Sequence, residues 1–231
     1  MPSLTMQTDG EKKSERRLKS AWQLRDANGR VAGAAPVLEM DGLMNLGLAV
    51  LGLLVAAPAF GADIPVVSNS EMSAIFKADQ ADRSTHPIDW GIVKPADAKR
   101  RERTEQLLDA GALRTGEDFY DAAFVFQHGE TANDFLKAHL LAVVATAKGQ
   151  PDAPWIAAAT LDRYLQEIGR PQVLGTQFTR TDDGKFTQEP YDRTVASDAM
   201  RKAMQVPSLA EQEIERRGYE AQVLNSPAKS K

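Results

Sequence analysis

The residues whose types could do chemistry in this chain are few. There are three histidines, His86, His128 and His139, one acidic residue set inside an apolar helical stretch, Asp162, and a run of hydrogen-bonding side chains around it: Arg163, Gln172, Thr176 and Gln177. An imidazole oriented by a carboxylate can act as a general base, and a guanidinium or amide nearby can steady developing negative charge. His128 or His139 as base, Asp162 as orienting group and Arg163 or Gln177 in support would make a hydrolase. The same groups without a working base would line a polar groove for a small polar ligand or a peptide, with Arg163, Gln172, Thr176 and Gln177 as the binding residues. The two readings part on one geometric question, whether His128, His139, Asp162 and Gln177 face a common cavity. A purely structural envelope role is the third reading. His86 stands before Pro87, in a loop expected to be solvent-exposed.

The element that must position most of these groups is the stretch Asp152–Phe178. Asp152 suits an N-cap, Pro154 the first turn, Gly169 a left-handed C-terminal position and Pro171 the stop beyond it. Trp155, Ala158, Leu161, Leu165 and Ile168 recur at helical spacing, with Asp162 at the stripe's edge. A buried acid there needs a partner. Arg163 is its sequence neighbour and neighbours on a helix diverge, so the partner must come from a preceding helix or from the turn of Gln172, Thr176 and Gln177 around Gly175. Those side chains would either line a pocket or tie the turn down by capping its backbone.

The rest of the chain reads as more helices. Ser70 caps a helix from Glu71 to about Ala81 bearing Met72, Ile75 and Phe76; Asp82 to Lys94 is loop, with Trp90 docked on the domain; and Pro95 opens a helix closed by Gly111. The basic run Lys99–Arg103 interleaves with Glu102 and Glu105 and reads as a solvated face. Thr115 caps a mostly buried helix ending near His128. Thr131, with Asp134 three residues on, opens another to about Lys148, whose apolar stripe is Phe135, Leu136, His139, Leu140, Val143 and Val144. Thr179–Gln188 has the Asp183-Gly184 signature of a hairpin. Ser197 caps a short helix to Gln205, and Ser208 with Glu211 caps a mostly exposed one from Leu209 to about Leu224.

Leu43–Ala62 carries no charge. Its apolar core Leu46–Ala57 followed by small residues fits a cleaved signal peptide better than a retained membrane anchor, which needs roughly 20 apolar residues. A start at Met44 or Met40 would bring the run to the N-terminus, residues 1–43 then being a matter of start-site choice, although Met44 leaves no Lys or Arg ahead of the core. Either version sends the following domain out of the cytoplasm, to the periplasm or envelope, with membrane contact only through residues 43–62. Residues 1–42, with seven basic residues against six acids and no sustained period, and residues 225–231 read as disordered.

The 231 residues carry a formal net charge of -4, which offers no field for nucleic acid, and no cysteine, which excludes disulfides, thiolate nucleophiles and Cys-ligated metals. The histidines are too scattered for a metal motif, so no metal and no cofactor is expected. The expected fold class is all-α: one compact domain of antiparallel packed helices over residues 63–224 with at most one small hairpin. FYDAAFVFQHG at 119–129, AHLLAVVA at 138–145, TLDRYL at 160–165 and GRPQVLGTQF at 169–178 resemble an uncharacterised family of bacterial proteins, across roughly Asp79 to Glu220. The resemblance implies a mainly helical, frequently exported domain and no established activity. The helical-hairpin rhythm of residues 122–149 occurs once, and a repeat solenoid needs about three copies.

Overall fold

In the computed structural model the residues described are 66–84 and 87–225, and they form an all-α fold with one two-stranded ribbon. The expectations for residues 1–42 and 43–62, for His86 and for the tail beyond Asn225 lie outside them. In chain order the elements are α1 (Ser70–Ser84), α2 (Trp90–Asp109), α3 (Gly116–Gln127), α4 (Ala132–Ala147), α5 (Ala153–Glu167), β1 (Thr179–Arg180), β2 (Phe186–Thr187), α6 (Asp198–Ala203) and α7 (Leu209–Asn225). Among the described residues no helix is long and apolar enough to cross a membrane.

The central unit is α3, α4 and α5, with α4 packed against both of the others. Thr115 and Asp118 form a reciprocal capping box at the start of α3, and Thr131 and Asp134 do the same for α4. Helix α3 is buried almost throughout, from Asp118 to Gln127 apart from Phe119. The buried face of α4 is Phe135, Ala138, Leu141, Ala142 and Ala145. This corrects the expected stripe, of which Leu140, Val143 and Val144 lie 57%, 45% and 37% exposed. The reason is steric: with helices on two sides, the alanine-rich face permits the close approach, and the larger apolar side chains are left outside.

Helix α5 departs from a simple stripe too. Trp155 to Thr160 are all buried, whereas Leu165 is half-buried and Ile168 is 47% exposed. Asp152 precedes it with helical torsions and makes no side-chain cap, because an N-cap acceptor needs an extended backbone at that position. Gly169 closes the helix at φ +74, as its left-handed role requires.

Two boundaries move. Helix α1 is capped by Asn69, whose Oδ1 accepts from the amides of Glu71 and Met72 at 3.0 Å each, and it runs on to Ser84. Helix α2 begins at Trp90, five residues before Pro95, because Asp89 Oδ1 accepts from Gly91 N at 3.0 Å and starts the helix there. Pro95 is then carried inside the helix. The basic run on α2 is also less solvated than expected: Arg100 reaches Asp82 and Asp97, and Arg101 donates to the carbonyl of His128 at 3.1 Å.

The core cluster joins Met72, Leu107 and Leu113 to α3, α4 and α5 and extends to Leu174, Ala196 and Val206. Phe76, Tyr120 and Phe124 stack within it, with Phe124 4.9 Å from Tyr120 and 5.4 Å from Phe76 between ring centres. The ribbon pairs antiparallel, Thr179 with Thr187 and Arg180 with Phe186, as the Asp183-Gly184 turn predicts. It docks on α7 through a satellite cluster of Phe178, Phe186 and Tyr219. Ser208 and Glu211 cap α7 as expected, and Gln212 and Tyr219 are its buried residues before position 222.

Candidate functional site

Asp162 is completely buried on α5, and its partner is the turn that folds back after Gly169. One carboxylate oxygen accepts from the amides of Val173 at 2.8 Å and Leu174 at 3.0 Å. The other accepts from Thr176 N at 2.9 Å and Thr176 Oγ1 at 2.8 Å. Four donors therefore converge on one side chain, and three of them belong to the backbone. Burial pushes the carboxyl above its ordinary pKa, while the bonds from Thr176, Val173 and Leu174 hold it back.

The neighbouring side chains complete a knot. Gln172, fully buried, donates through Nε2 to the carbonyls of Gln177, at 2.9 Å, and Gln188, and accepts from Gln177 N at 3.0 Å. Gln177 donates through Nε2 to the carbonyl of Ala159 at 3.1 Å, which fastens the turn to α5. Gly175, at φ +80, sits against Gln212 and Tyr191, and a Cβ there would overlap Gln212 Oε1 and lie 2.6 Å from Tyr191 Oη. Gln212 in turn donates to the carbonyl of Leu174 at 2.9 Å and accepts from Tyr191 Oη at 3.2 Å, so α7 is tied into the same knot.

Arg163, the next residue on α5, reaches the end of α3. It donates through Nη1 to the carbonyl of Gln127 at 2.6 Å, meets Gln177 Oε1 at 3.4 Å and stands 5.6 Å above the ring of Phe135. It links the turn to the end of α3, where His128 lies.

His128 is oriented by Asp79, not by Asp162. Its Nδ1 is 2.9 Å and 3.0 Å from the two carboxylate oxygens of Asp79 on α1. Asp79 also receives Arg83 Nη1 at 3.1 Å and Gln80 Nε2 at 2.8 Å, and Arg83 continues to Asp97 at 2.6 Å. Burial pushes His128 below its ordinary pKa, with Arg83 and Arg163 adding to the effect and Asp79 opposing it. Burial works against ionisation of Asp79, but His128 and the guanidiniums of Arg83 and Arg100 outweigh it and hold the carboxyl below its usual range. The other ring nitrogen of His128 lies 3.5 Å from Gln127 Nε2. His139 is elsewhere, its Nδ1 2.9 Å from the carbonyl of Ala157.

The question posed by the sequence thus has a geometric answer. Asp162, Gln177 and His139 are each bonded to backbone groups of α5 or of the turn after it, and His128 is paired with α1. Asp79, Gln127, Gln188, Gln212 and Tyr191 belong to these networks and did not emerge from the sequence. Gln127 sits beside His128 in the FVFQHG piece and carried a signal of adjacency. Asp79 lies on a polar helix with no local mark of its role. Among the described residues no group of three or more His, Asp or Glu side chains is arranged to hold a metal ion. No family model matches the chain, and neither a curated protein nor a solved structure matches it.

Proposed function

We propose that this is an exported helical domain that works by binding, and that its partner is a peptide segment or helix lying on the outer face of α4. The observation that carries the reading is that face itself. Leu140, Val143 and Val144 are exposed in a row at helical spacing, continued by the half-buried Leu136 and the exposed Ala147. Contiguous exposed apolar surface of this kind marks interaction sites, and an apolar helix face is read by i, i+3, i+4 and i+7 anchors. The polar groups Asp162, Gln172, Thr176 and Gln177 support the reading as scaffold: with their hydrogen bonds turned inward they stiffen the frame that presents α4. A net charge of -4 argues against nucleic acid as the partner.

The test is a photo-cross-linking residue placed at Leu140 and, as control, at the exposed Asp182, in the native host. A discrete product from position 140 that is absent from position 182 and lost in the Val143→Asp background is expected. The same product pattern from both positions contradicts the reading. Export rests on the uncharged Leu43–Ala62 run, and a mature N-terminus near Phe60 to Asp63, or an intact anchored chain, is what mass spectrometry of the native protein should find. A full-length soluble cytoplasmic product contradicts it.

One observation favours the rival reading of a hydrolase, the 2.9 Å pairing of His128 with Asp79. In that reading His128 would be the base, with Asp79 in the place foreseen for Asp162. Turnover of model esters or amides that disappears in His128→Gln, with melting unchanged, would favour it over binding.

A further inference from the structure

We infer that α1 is a pH-gated latch on α3, let go as the pH rises by ionisation of the carboxyl that Asp121 buries between the two helices. The latch is independent of any partner on α4. Among the described residues α1 packs on α3 and, to a lesser extent, on α2. It is lightly held: of its 15 residues Met72 and Asp79 are buried, with Ile75 and Phe76 partly so. In α3, by contrast, nearly every side chain is buried. An element with so small a share of the core is of the kind that opens alone while the rest of the fold stays closed. Its release uncovers Tyr120 and Phe124, whose rings lie 6.2 Å and 5.4 Å from that of Phe76.

The seam between α1 and α3 is made of titratable contacts. Asn69 N donates to Asp118 Oδ1 at 2.6 Å, Ser73 donates its hydroxyl to the carboxyl of Asp121, and Asp79 stands 2.9 Å from Nδ1 of His128. Asp121 is the weak point. It is 3% exposed, and Glu117 and Asp118 stand four and three residues before it on the same helix face. Burial works against ionisation of Asp118, but the amides of Thr115, Arg114 and Asn69 outweigh it and hold that carboxyl below its usual range, so a standing negative charge lies one turn away. From α1, Lys77 offsets part of this from an exposed position. The other elements packed on α3 turn their charges elsewhere. The buried face of α4 is apolar, Arg101 of α2 goes to the carbonyl of His128, and Arg163 and Asp162 of α5 go to the carbonyl of Gln127 and to the turn after α5. Burial first, and then Glu117, push the Asp121 carboxyl up to about 7. Release of α1 admits water and returns the group toward its ordinary 3.8, so a rising pH favours release. Asp79 and His128 act in the opposite sense. Both are lowered in the folded chain, so both favour release as the pH falls, and α1 is held most firmly between the two ranges.

Amide hydrogen exchange of the full chain, read by mass spectrometry, follows residues 70–84 and 132–147 separately. Relative to their intrinsic rates, the α1 amides should exchange faster than those of α4, because α1 opens alone. Asp121→Asn keeps the buried group neutral at every pH. Comparing it with the natural chain at each pH cancels the intrinsic pH dependence of exchange and the pull of Asp79 and His128. The ratio of α1 exchange in the natural chain to that in Asp121→Asn should rise about tenfold per pH unit between about pH 5 and 7 and level off above about 7. When Glu117→Gln is added to both chains, the levelling should come at lower pH, since one like charge is gone. A ratio that does not change with pH overturns the gate. Equal protection of α1 and α4 overturns the latch, because α1 then opens only with the whole fold.

Discussion

Asp162 and Asp121 are both buried carboxylates, and their surroundings set them different tasks. Asp162 meets four donors and organises a turn. Asp121, on the α1-facing side of α3, is pushed up to about 7, first by burial and then by Glu117, with Asp118 adding and Ser73 and Lys77 opposing. The sign follows from linkage. An acid whose folded pKa is raised holds a proton that the unfolded chain releases near its ordinary value, 3.8 here, so its contribution to stability is complete below about pH 4 and is lost as the pH climbs through about 7. Asp121→Asn should therefore flatten the decline of stability between about pH 4 and 7 and should be the more stable protein at pH 8, by roughly 1 kcal/mol or more. Denaturant unfolding at pH 5 and pH 8 measures this, and an unchanged difference between the two pH values would count against the buried charge. Asp79 behaves in the opposite sense. Its pKa is lowered, so the stability it contributes is present above the ordinary carboxylate range and lost as the pH falls below it.

At the scale of the element, what was legible was punctuation. The capping boxes of Thr115 with Asp118 and Thr131 with Asp134, the Gly169 stop and the Asp183-Gly184 turn are local chemistry, and each stands where its residues announce it. What was not legible was which side of α4 faces in. Hydrophobicity points to Leu140, Val143 and Val144, but close packing against two helices selects Ala138, Ala142 and Ala145, and that choice depends on neighbours the helix does not encode. The same limit applies to α2, where an Asp89 cap outweighed the proline as a start signal. The turn after α5 shows local and distant demands meeting in one residue. Gly175 must take φ +80 and must also leave room for Gln212 and Tyr191 from later in the chain. Gly175→Ala should cost ~2 kcal/mol or more, combining the left-handed penalty with overpacking, whereas Gly149→Ala, at φ +81 with open space around its added methyl, should cost only the former. Chemical denaturation of the two variants side by side gives the comparison, and equal losses would mean that the Gly175 contacts are slack.

For the whole molecule, the pieces 161–163 and 171–177 are those that stood out in the sequence, and in the fold they make one network that runs from Asp162 and Gln172 through Gln177 and Arg163 to the carbonyl of Gln127. The sequence indicated that Asp162 needed a partner and that the following turn was a candidate. It could not indicate Asp79 for His128, because that contact joins residues 49 positions apart. Asp162, Gln177, Arg163 and His128 thus fasten elements together. Asp162, with four donors on its carboxylate, holds the turn to α5. The most direct test of that role is the unfolding free energy of Asp162→Asn, in which the new amide group would turn N–H donors toward the amides of Val173 and Leu174 or of Thr176. Asp162→Asn should lose roughly 1–3 kcal/mol of stability with the partner cross-link at position 140 retained. Stability equal to that of the natural protein, with the cross-link abolished, would contradict it.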